Sequence, residues 1–175
     1  MTDHADTFGG LTLLVSEGDK LLREDVVLSV KDPDAYVNKY SKDLNRRGIS
    51  KPVDWLPWIA LIDGLEKKEK LIELDWKEKS EMFVNAVNKL LAKVGDSEQI
   101  HKQLSSIKFG ARKTVPDILS RINLVLQKYD YTVIMVDIYS DCYPITLVRL
   151  RSYPAIKRKA DLIEKDRIHH FFYSA

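Results

Sequence analysis

Apolar residues recur along most of this chain at three- and four-residue intervals, and at two-residue intervals in only a few short stretches, so helices should outnumber strands. Between Asp19 and Val30, the spacing of Leu21, Leu22, Val26 and Val27 predicts a helix, which Asp32-Pro33 disfavours continuing. Asp34 is placed to cap a second helix through Tyr36, Val37, Tyr40 and Leu44, ended by Gly48 in a left-handed turn. Asp54 is expected to cap a third, carrying Trp55, Trp58, Ile59, Ile62 and Leu65, with Pro57 in its first turn. Met82, Phe83, Ala86, Val87, Leu90 and Leu91 mark a helix over 78–93 that Gly95 closes. A shorter helix should run from Ser97 and Glu98 towards Ile107, and another over 116–129. Phe8 to Val15 fits a short helix or an edge strand, because periodicity does not type so brief a run.

The strand signals are fewer. In KLIELDW, Lys70 to Trp76, Leu74 and Trp76 alternate with Glu73 and Asp75, which predicts a strand with one wet face. Tyr131 to Tyr139 and Tyr143 to Leu150 are β-rich runs broken by Ser140, Asp141 and Cys142, the pattern of an antiparallel hairpin. Pro144 lacks a ladder donor and puts the start of the second run at an edge or bulge. A basic helical stretch, Ala155 to Lys165, and a last strand within His169 to Tyr173 complete the order. The expected class is α+β, a small mostly antiparallel sheet with helices packed mainly on one face. Residues 1–175 read as a single domain, with 1–10 as a flexible N-terminus.

Composition narrows the function classes. The 45% hydrophobic and 31% charged content is that of a folded globular chain. A net charge of +2 gives no global field, so nucleic acid or an anionic surface would have to be met by a local patch. Apolar runs fall far short of the roughly 20 residues of a membrane helix, so no membrane partner is expected. The first residues lack the basic start and apolar run of a secretory signal, and the single Cys142 fits a reducing compartment; cytoplasm is the expected location.

No glycine-rich phosphate loop is present, no two of the four histidines are spaced i, i+4, and one cysteine builds no thiolate zinc site, so no cofactor and no metal are expected. Asp141 beside Cys142 opposes thiolate formation. Asp63, Glu73, Asp75, Asp137 and Asp141 fall beside predicted sheet ends, where convergence would let them bind a hard cation or share a proton. The plainer reading puts Glu73 and Asp75 on a solvated strand face and Asp141 in a turn. Trp55 and Trp58 share one helical face and read as core, while Trp76, followed by Lys77 at a strand end, leaves an indole available to a ligand. Lys108, Arg112 and Lys113, then Arg149, Arg151, Lys157, Arg158 and Lys159, lie near Tyr153 and the aromatic tail Phe171 to Tyr173. Asp161, Glu164 and Asp166 dilute that charge, which favours a solvated face over a nucleic-acid surface.

The segments WIALIDGLEKKEKLIELDWKE (58–78) and VDIYSDCYPITLV (136–148) together resemble an uncharacterised bacterial domain family of unknown function. The resemblance implies a bacterial, cytoplasmic α+β domain without an assigned reaction, and it groups Asp75, Trp76, Lys77, Asp141 and Tyr143. Asp137 joins them as a hairpin carboxylate. With no assembled set of reactive groups, the leading expectation is a noncatalytic protein-binding or regulatory module that meets another protein or a second copy of itself. The alternatives are an enzyme or ligand-binding protein using Asp63, Asp75, Asp137 or Asp141 with Lys77, and nucleic-acid binding through the C-terminal basic stretch.

Overall fold

The computed structural model describes residues 4–95, 98–110 and 113–172. It opens with α1 (His4–Ser16), in which Ala5, Phe8, Leu11 and Val15 are buried. Helix therefore decides the ambiguous Phe8 to Val15 run, and residues 4–10 form packed helical turns. Asp19 caps α2 (Lys20–Lys31) by accepting the Leu22 N–H at 2.9 Å. The next cap is Asp32 and not the expected Asp34: Asp32 Oδ1 accepts the Ala35 N–H at 3.0 Å, and Pro33 sits where a missing N–H costs nothing. The chain then breaks at Tyr40 into α3 (Pro33–Lys39) and α4 (Ser41–Arg46). Gly48, at φ +73°, turns the chain out of α4.

Asp54 does not cap α5 (Leu56–Lys67), which has no side-chain cap; backbone bonds from Leu56 N to Val53 O and Trp58 N to Trp55 O close its entry instead. Then follow β1 (Leu71–Asp75), α6 (Ser80–Lys93), α7 (Glu98–Ser105), α8 (Val115–Leu126), β2 (Tyr131–Val136), β3 (Cys142–Arg149), α9 (Tyr153–Ile163) and β4 (Ile168–His170). Thr114 and Asp117 form a reciprocal capping box at the start of α8. The expected Ser97 start, Arg112 in the basic loop and the Tyr173 end of the last strand lie outside the described residues.

The sheet is antiparallel, in the order β1-β3-β2-β4. It has helices on both faces, so the expectation of helices mainly on one face needs correcting: a second layer covers the other. Thr146, Val148, Ile134, Val136 and Ile168 face α1, α2, α5 and α9 through a cluster containing Leu11, Val26, Trp58, Leu61 and Ile156. Leu74, Ile145, Val133 and Met135 face α6, α7 and α8 through Phe83, Val87, Leu104, Leu119 and Ile122. The reason is visible in β2, where all six residues are buried. A central strand apolar on both sides needs cover on both.

The ladder also explains Pro144. It sits opposite Glu73 of β1, while the β2–β3 pairing stops one residue short, at Met135 and Ile145. Pro144 thus occupies a part of β3 that β2 no longer flanks, and the absent donor interrupts nothing.

Candidate functional site

Cross-strand neighbours share a sheet face, so the register sorts the candidate residues. Leu74 pairs with Tyr143, and Met135 with Ile145, on the α6–α8 side. Alternation carries Trp76, Asp141 and Asp137 to that same side, just past the strand ends. Trp76 N–H donates to Asp141 O at 3.3 Å and Asp137 N–H to Arg167 O at 2.7 Å, extending both ladders by one step. The result is an open hollow of about 320 Å³ lined by Trp76, Met135, Asp137, Ser140, Asp141, Cys142 and Tyr143.

Its charge is only partly met. Asp137 Oδ1 accepts the Tyr139 N–H at 2.7 Å, and Oδ2 lies 3.6 Å from His169 Nε2. Among the described residues, no ion pair reaches Asp141. Trp76 is 54% exposed, and the Lys77 ammonium stands 5.1 Å from its ring centroid. Arg167, itself buried, props the loop behind the hollow: Nη1 donates to Asp137 O at 3.0 Å, Nε meets Glu164 Oε2 at 2.6 Å, and the guanidinium covers the Tyr139 ring at 4.0 Å.

Asp75 does not join this group. It pairs with Cys142 and belongs to the opposite face, where its Oδ1 accepts the Lys77 N–H at 2.8 Å. On that face stands a second cluster, which Arg47 organises. At the end of α4, just before Gly48, Arg47 donates from Nε to Asp63 Oδ1 at 2.7 Å and from Nη1 and Nη2 to the two Glu73 oxygens. Glu66 completes it, since Asp63, Glu66 and Glu73 each bring a carboxylate oxygen within 4.8 Å of the others. That spacing suits a hard cation, and the guanidinium already supplies positive charge there. Burial raises the Asp63 carboxyl above its usual range against the pull of Arg47, and burial together with Glu73 raises Glu66. Burial opposes the charge on Arg47, but its bonds to Glu73 and Asp63 prevail and hold it ionised.

Residues 8–169 match the family model of a domain of unknown function, DUF6630. The chain belongs to that family. No curated protein and no solved structure gives a match. The family assignment agrees with the resemblance read from residues 58–78 and 136–148, and both segments fall inside the matched region.

In this DUF6630 domain, the sequence pointed to Trp76, Asp137, Asp141 and Tyr143, and they meet in one hollow. Lys77 reaches it only through the Trp76 ring. Arg47 and Arg167 were missed. Asp63 and Glu73 for Arg47, and Asp137 for Arg167, stand 16 to 30 residues away, and only the tertiary fold brings them near; Glu164, three residues before Arg167, is the local exception. Burial, then Glu73, Asp75 and Asp141, push the Cys142 thiol above its usual range, which disfavours the thiolate. The C-terminal basic residues are partly committed within the fold, Arg151 to Asp130, Lys157 to Asp161 and Arg149 to the Tyr131 ring. Among the described residues, no helix is long and apolar enough to cross a membrane.

Proposed function

We propose that this DUF6630 domain is a noncatalytic protein-binding module that receives a segment of its partner at the end of the sheet. One observation carries the reading: Trp76, Tyr143, Asp137 and Asp141 converge from three strand ends on a single open hollow. Exposed aromatic rings anchor partners because they bury a large apolar area at little conformational cost. An enzyme built on the same carboxylates is less well supported, since Asp63 and Glu73 lie on the opposite face from Asp137 and Asp141 and are held by Arg47. A bacterial cytoplasmic setting belongs to the same proposal, and the single cysteine supports its reducing compartment.

The test is selection from a displayed library of short peptides on the immobilised chain, followed by titration of the selected peptides. Binders should emerge whose affinity drops about tenfold or more in Trp76→Ala, the loss expected of a central aromatic contact. A library that yields no binder, or binders indifferent to Trp76→Ala and Tyr143→Ala, overturns the proposal.

A further inference from the structure

The hollow has a chemistry of its own. Two aspartates line a space whose other walls are Trp76, Tyr143 and Met135, completed by Ser140 and Cys142. At about 320 Å³ it stands at the small end of ligand pockets, which start near 300 Å³, so it suits one side chain better than a cofactor. Asp141 lacks an ion-pair partner among the described residues, and Asp137 is served by one backbone N–H and a histidine nitrogen at 3.6 Å. An anionic ligand would meet these carboxylates at a cost, and a purely apolar one would leave them without a counter-charge. A group with donors at its tip and methylenes behind it matches both wall types.

The chain already displays that pairing. Asp75 Oδ1 accepts the Lys77 N–H at 2.8 Å, and Glu78 N donates to Asp75 O at 3.1 Å, a tight turn that brings Lys77 back beside its neighbour. Its ammonium rests 5.1 Å from the Trp76 centroid, within the range of a cation–π contact. The ring that an incoming cation would use therefore carries a cation from the chain itself.

Building on the binding role argued above, we infer that the hollow takes the side-chain ammonium of a lysine in the partner segment, and that Lys77 competes with it for the Trp76 ring. The incoming ammonium sits between Asp137 and Asp141, with its methylenes against Trp76 and Tyr143. Displacement of Lys77 accompanies binding.

Nitrogen-15 spectra of the full chain, titrated with an end-blocked lysine–glycine peptide and with its norleucine counterpart, test this. The lysine peptide should shift the Trp76 indole N–H and the Asp137 and Asp141 amides in a saturable way. The Trp55 indole, 41% exposed on α5's entry, serves as a control and should stay put. The norleucine peptide, of the same shape without the charge, should leave all of them unmoved. Lys77→Ala should tighten lysine-peptide binding by about two- to fivefold, the scale of one exposed cation–π contact, and Asp141→Asn should weaken it. Equal shifts with norleucine, no response to the lysine peptide at millimolar concentration, or unchanged or weaker binding in Lys77→Ala would each overturn the inference. Library binders that still depend on Trp76 would then leave the protein-binding role standing, whereas their absence removes both.

Discussion

Two groups of carboxylates stand back to back at one end of the sheet, and they have opposite fates. On one face, Asp63, Glu66 and Glu73 crowd around Arg47, with Asp63 and Glu73 largely buried and hydrogen-bonded to the guanidinium. On the other, Asp137 and Asp141 open onto solvent beside exposed Trp76. The side chains are of the same kind, and the surroundings differ. Where α4, α5 and β1 meet, a buried carboxylate is tolerated because a guanidinium satisfies it, and the cluster ties three elements together. Where β1, β2 and β3 run out, no lysine or arginine among the described residues forms an ion pair with Asp137 or Asp141. The buried acids are held by an arginine, whereas half-buried Asp137 has only the Tyr139 N–H and a histidine nitrogen at 3.6 Å, and exposed Asp141 has no ion pair among the described residues.

The largest test of that contrast is Arg47→Met. It leaves Asp63 and Glu73 facing each other without a counter-ion, and should cost about 3 kcal/mol in urea unfolding, the low end for breaking a buried pair because the guanidinium is 23% exposed. Adding Asp63→Asn and Glu73→Gln should recover part of that loss. A single-variant cost under about 0.5 kcal/mol would show that the cluster is no clamp. Next in size is Gly64→Ala, beside Asp63 on α5, where a Cβ would collide with buried Leu22 Cδ1 of α2. Overpacking there should cost roughly 2 kcal/mol. Peptide binding at the hollow should survive both changes, and its loss in the folded variants would mean that the two regions are coupled.

Much of this was legible in the residues. The alternation in KLIELDW, the hairpin break at Ser140 to Cys142 and the helical stripe of α6 each report a local preference, and local preferences are what a sequence pattern records. The joint appearance of Trp76, Asp141 and Tyr143 in one hollow followed from two strand ends that happen to be neighbours. The second helical layer was less visible: the apolar run in β2 has no period, and only burial on both sides explains it. The Arg47 clamp was invisible, because an arginine beside a glycine looks like an ordinary helix end until β1 is laid against α5. Asp34 and Asp54 failed as caps for a smaller reason. A suitable side chain before a helix competes with neighbouring residues and with plain backbone turns, and in both places the competitor prevailed.

Smaller effects sharpen the comparison from the other side. Trp76→Ala should change stability by only about 0.5 kcal/mol, as an exposed position away from the core does, so that lost peptide binding in this variant can be assigned to the surface and not to unfolding. A destabilisation of several kcal/mol would instead make Trp76 part of the architecture.

The smallest expected effect separates the faces by pH. His169 and His170 are consecutive on β4, so they point to opposite sides: His169 lies opposite Met135, near Asp137, and His170 opposite Ile134, within the larger helical layer. His170 meets Thr132 Oγ1 at 2.6 Å and lies between the rings of Tyr153 and Phe172. Burial holds its pKa below the ordinary 6.5. Just below pH 6.5 the unfolded chain therefore binds more protons than the folded one, and stability falls as the pH is lowered through that window. Replacing His170 with Phe should flatten this part of the stability curve, measured by urea unfolding between pH 7.5 and about 5, a span chosen to bracket the ordinary histidine range. An unchanged slope would mean that the folded chain accommodates the protonated imidazole at no cost, and that this face of the sheet is wetter than its packing implies.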